Sequence, residues 1–132
     1  MNFFSFLRSV LFYVFLPVIT LASWYVQHEK APHGGILKQS DGYFIELRKA
    51  DKYMYVYLLS SRLRPVTDKD VSGEVKFFLP DNTILPVNLK TVSEDGFMVE
   101  MPGEFKGCQV NFTVNKAPVS ALFEKQSLNS SR

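Results

Sequence analysis

Ala31–Lys49, APHGGILKQSDGYFIELRK, is where the chain changes character. An uncharged apolar stretch precedes it, and strand-and-turn patterning follows. Pro32-His33-Gly34-Gly35 reads as a tight turn, because glycine takes up backbone conformations that other residues avoid. Ser40-Asp41-Gly42 is a second turn signal. Ile36-Leu37 and Tyr43-Phe44-Ile45-Glu46-Leu47-Arg48 then read as strands on either side of it. In the longer run Tyr43, Ile45 and Leu47 share one face, and Glu46 and Arg48 the other.

The same grammar continues downstream. Tyr53–Ser60, YMYVYLLS, is aromatic and β-branched with apolar residues on both faces, so it is expected at the centre of a sheet. Ser61–Asp70 is a long polar connection. Glu74–Leu79 alternates with Val75, Phe77 and Leu79 inward, and Thr83–Lys90 carries Pro86, which marks an edge strand or a bulge. Ser93-Glu94-Asp95-Gly96 turns into Phe97–Met101, and Gly107–Val114 closes the set. Short strands spaced by about ten residues predict an all-β fold, an immunoglobulin-like antiparallel β-sandwich of about seven strands. A small closed barrel is the alternative. The expected core contains Tyr55, Tyr57, Val75, Phe77, Val99, Val110 and Phe112, whereas Met54 and Met98 fall on outward positions. Residues 28–116 form this domain, and 117–132 read as a polar tail in which Val119–Phe123 has room for one helical turn.

Composition narrows the function. The chain has 132 residues, 46% of them hydrophobic and 21% charged, which suits a single globular domain. A net charge of +2 with scattered basic residues gives no footprint for nucleic acid. The single cysteine excludes an intrachain disulfide. Cys108 shares a face with Val110, Phe112 and Val114, so it is expected in the core as a small apolar residue.

Residues 1–27 carry targeting information. Arg8 precedes Ser9–Gln27, in which no charged residue occurs, and Val10–Leu21 is almost wholly apolar. This is either a secretory signal cleaved after Ala22 or an uncleaved signal-anchor helix. An uncharged span of about 18 residues is near the minimum for crossing a bilayer, and Trp24-Tyr25 suit an interface, which favours the anchor. In both cases the domain is exported, to the periplasm or its equivalent, and residues 9–27 engage the membrane.

Chemistry-bearing motifs are few. The two histidines, His28 and His33, stand at the start of the exported domain. A turn histidine with no fixed orienting group is not a poised base, and no Ser-His-Asp set assembles, so an enzyme is not expected. No glycine-rich loop precedes a helix. Imidazole suits copper and zinc, and thioether sulfur selects reduced copper. A candidate metal site therefore uses His33, exposed beside Gly34-Gly35, with His28 and the outward Met98. Met98 and Met101 lie on opposite strand faces and form no chelate by themselves.

Pro32-His33-Gly34-Gly35, Asp41-Gly42-Tyr43-Phe44-Ile45-Glu46-Leu47, Tyr55-Val56-Tyr57-Leu58 and Arg64-Pro65-Val66 together resemble a small periplasmic β-domain. That domain heads heavy-metal efflux adaptor (membrane fusion) proteins and also occurs in stand-alone exported proteins. The resemblance covers about residues 32–114. It implies a membrane-proximal accessory to metal efflux or handling, with copper or zinc as its ligand. The family's histidine-rich lead-in is reduced here to His28, and the hairpin and lipoyl regions of an adaptor are missing. The other reading of the same chain is a membrane-tethered module that docks onto an envelope protein complex through an edge strand.

Overall fold

The alternating runs become strands wherever turn chemistry lets the chain reverse. Ile36–Ser40 (β1) and Tyr43–Ala50 (β2) are joined by Asp41-Gly42, both at positive φ (48° and 83°), as a two-residue hairpin requires. Asp51-Lys52 joins β2 to Tyr53–Leu59 (β3), and Asp51 is at φ 58°. The remaining elements are Val71–Phe78 (β4), Ile84–Asn88 (β5), Lys90–Thr91 (β6), Phe97–Glu100 (β7), Gly107–Val114 (β8), Ala117–Glu124 (β9) and a single helical turn, Lys125–Asn129 (α1). This computed structural model describes residues 30–67, 70–92 and 96–129. The apolar helix expected over 1–27, and His28, lie outside the described residues.

The strands form two antiparallel sheets, ordered β1-β2-β3-β7-β6 and β5-β4-β8-β9. As its two apolar faces suggest, β3 takes the middle of the first. Pro86 falls on β5, at the edge of the second, where a missing N–H is tolerated. The sheets share one core: Ile45, Leu47, Met54, Val56 and Leu58 from the first meet Val75, Phe77, Cys108, Val110 and Phe112 from the second. Phe97 of β7 reaches across to Phe112 of β8, with ring centroids 5.4 Å apart. Truncating Phe77 or Phe112 to alanine in such a core costs about 3–5 kcal/mol.

Three expectations change. Met54 is fully buried and not outward, because β3 presents Met54, Val56 and Leu58 to the core. Tyr55 therefore lies on the outer face of that sheet, half-buried, and Tyr57, buried as expected, shares that face and stands outside the cluster between the sheets. Residues 117–124 are not a tail. They form β9, paired along its whole length with β8 and contributing Val119 and Phe123 to the core, while Leu128 of α1 adds a further buried side chain. With β6 and β9 the strands among the described residues number nine and not seven.

Candidate functional site

The turn ahead of β1 folds back over the outer face of the first sheet. Gly34 takes φ 75° and its N–H donates to the Ala31 carbonyl (3.2 Å), which closes the turn. Gly35 is required for a different reason: a Cβ there would stand 2.2 Å from the Leu47 carbonyl oxygen. Together the two glycines let the chain lie directly against β2.

Beneath the turn is Glu46, the only charged side chain that is buried among the described residues. Its carboxylate is satisfied by the turn itself. Oε2 accepts from the backbone N–H of His33 (2.9 Å) and of Gly35 (2.9 Å), and Oε1 lies 2.8 Å from His33 Nδ1. A buried carboxylate is tolerable only with such a set of donors, since burial of an unpaired one costs several kcal/mol. Nδ1 is thus taken up by the carboxylate, and Nε2 is the ring nitrogen that the pairing leaves over.

Tyr57 completes the assembly. The β2–β3 register sets it directly across from Glu46, and its ring lies parallel to the imidazole, with centroids 3.7 Å apart and an interplanar angle of 3°. Gly96 packs beneath the tyrosine ring, where a Cβ would come within 2.6 Å of it. Arg48 reaches the Tyr57 hydroxyl at 3.5 Å and lies over the Tyr55 ring, 4.7 Å from its centroid. His33 is thus gripped at one edge and on one face, and its side chain keeps 25% exposure.

This corrects the picture of His33 as a freely exposed turn residue without an orienter. Its orienter is Glu46, which the alternation of β2 sets on the face opposite Ile45 and Leu47. That assignment has the face right, but the turn covers the face. The strand register, which only the structure shows, sets Leu37 and Tyr57 on either side of the carboxylate.

Chemically, an imidazole steadied by a buried carboxylate resembles both a general base and the usual supporting arrangement of a metal-bound histidine. As a base it would need a nucleophile at Nε2, and among the described residues no hydroxyl or thiol is hydrogen-bonded there. Cys108 is fully buried in the core, and burial pushes its thiol up to about 12. As a metal centre it would need further donors. The described residues hold no group of three or more His, Cys, Asp or Glu side chains able to ligate one ion. Met98 is half-buried on β7, opposite Tyr55, and His28 lies outside the described residues. The structure therefore brings Glu46 and Tyr57 to His33, with Arg48 on the tyrosine hydroxyl, and among the described residues supplies one candidate donor, Nε2. Compared with protein-family models, curated proteins and solved structures, the chain matches none.

Proposed function

We propose that this chain is a membrane-tethered, extracytoplasmic interaction domain of immunoglobulin-like class, in which the His33–Glu46 clasp sets how the domain hangs from its tether. The sheet order supports the class: β2-β3-β7-β6 and β5-β4-β8-β9 follow the A-B-E-D and C′-C-F-G orders of such sandwiches, with β1 added at one edge. The observation that carries the reading is the position of the clasp. Its backbone and side-chain bonds tie the stretch just after the apolar segment to the middle of a rigid sheet. Three polar contacts to a buried carboxylate are more than a slack linker needs. Next to the clasp Arg48 spans Tyr57 and Tyr55, and Met98 pairs with Tyr55 across the strands, residue types enriched at protein interfaces. No catalytic role is proposed.

A photo-reactive side chain replacing Tyr55 in the full chain, in its native membrane, tests this reading. The expected result is a discrete adduct with an envelope protein, lost when Glu46→Ala releases the clasp. An adduct pattern indifferent to Glu46→Ala would overturn the role of the clasp.

A second reading is favoured by one observation, the free Nε2 of a carboxylate-steadied imidazole. On it, His33 with His28 and Met98 takes up copper or zinc as an accessory to metal efflux. Binding would need a ring nitrogen free of a proton, so protons compete with the metal for it. Titration of the full chain in detergent with either metal, against His33→Ala, decides it: equal binding by both removes the metal reading.

A further inference from the structure

At the end of the sandwich where β2 turns into β3, three segments enclose a cleft of about 300 Å³. Its walls include Lys49, Asp51, Lys52, Met101, Phe105 and Lys125. We infer that this cleft is a binding site for a phosphate-class anion, either free or as the headgroup of a lipid.

Charge makes the first part of the case. Three lysines and one aspartate leave two positive charges uncompensated around one concavity, and among the described residues none of the three ammonium groups is paired with a carboxylate. They are held in other ways. Lys52 Nζ lies over the Tyr53 ring at 5.2 Å and Lys125 Nζ over the Phe105 ring at 5.0 Å, both within cation–π range. Lys49 Nζ donates to Asn129 Oδ1 at 3.4 Å. Asp51 is there for the turn: it holds the left-handed position of the β2–β3 connection, φ 58°, which aspartate tolerates. The turn makes no such demand for the lysines.

The frame beneath them is fixed. Met101 N–H donates to the Lys52 carbonyl at 2.8 Å and Lys125 N–H to the Lys106 carbonyl at 3.1 Å, so the β2–β3 turn, the segment after β7 and the start of α1 are tied to one another. Lysine is a point-charge phosphate binder, and a phosphate monoester carries about −1.5 to −2 at neutral pH, matching the surplus in the cleft. A single carboxylate would leave half of that surplus unmet.

The test is acylation footprinting of the full chain in non-ionic detergent, with inorganic phosphate titrated at constant ionic strength. At twice the dissociation constant, occupancy should slow acylation of Lys49, Lys52 and Lys125 about threefold and leave Lys90 and Lys116 unchanged. The chain is then placed in phosphatidylcholine vesicles with or without phosphatidic acid, whose headgroup is a phosphate monoester, free of inorganic phosphate. Protection only with phosphatidic acid names the lipid headgroup as the source, and protection only by inorganic phosphate names a soluble anion. Uniform slowing of every lysine, or slowing of none, overturns the site. Lys125→Gln with an unaltered unfolding midpoint should weaken protection at Lys49 and Lys52, and undiminished protection would also overturn it. The phosphate arm is independent of the tethered-domain reading, so failure of the Tyr55 cross-link leaves it untouched.

Discussion

Glu46 has no exposed surface, yet it accepts two backbone N–H groups and one imidazole N–H. Removing it as Glu46→Ala leaves the turn without its anchor and opens a void beneath His33. We expect a loss of about 3 kcal/mol, read as a lower urea midpoint with an unchanged slope. Glu46→Gln should cost less, because the amide keeps one acceptor oxygen for the two backbone donors. Cys108 makes a second prediction at this scale. Burial raises its thiol from 9.0 to about 12, so the folded chain keeps a proton that the unfolded chain releases. Its contribution is fully present below pH 9 and is lost as the pH climbs towards 12. Relative to Cys108→Ala, the wild type should therefore lose stability by up to about 1.4 kcal/mol per pH unit in that window. A pH-independent difference between the two unfolding curves would contradict this.

Among the elements, the β8–β9 hairpin turns on Asn115-Lys116, both at positive φ (50° and 69°). Asparagine is at home there and lysine is strained, so Lys116→Gly should stabilise the fold by about 1 kcal/mol, seen as a raised thermal midpoint. This hairpin also marks where the sequence stopped being legible. Strands such as β2 and β8 alternate cleanly, and the face carrying Cys108, Val110, Phe112 and Val114 is buried as the alternation requires. In β9 the pattern is blurred by Pro118, by Ser120 and by Leu122, which is 58% exposed, so only pairing with β8 reveals Val119 and Phe123 as core. The phase of β3 was hidden for the opposite reason: apolar residues on both faces leave nothing to alternate, and Met54 and Tyr55 were exchanged. Of the site, His33 and its glycines could be read from turn chemistry. The part played by Glu46 could not, because a chain segment folding back over a sheet has no local periodic signal.

At the scale of the whole molecule, the two long sides of the sandwich differ. On one, β1 and β9 are drawn together by side chains: Lys38 Nζ donates to the Leu122 carbonyl, and Ser120 N–H donates to Ser40 Oγ at 3.3 Å. On the other, the sheets end in β5 and β6, with Ile84, Leu85 and Val92 exposed nearby. An apolar open edge invites a neighbouring chain to add a strand. Here the edge of one sheet has a proline at its centre and that of the other is only two residues long. Pro86→Val should therefore give a protein that self-associates with concentration, measured by sedimentation of the full chain in detergent; a variant that stays monomeric would remove the blocking role of Pro86. In the tethered arrangement proposed above, confinement of chains to a plane would raise their local concentration, and a strand that cannot be extended would keep neighbouring copies as separate molecules and stop their growth into a fibril.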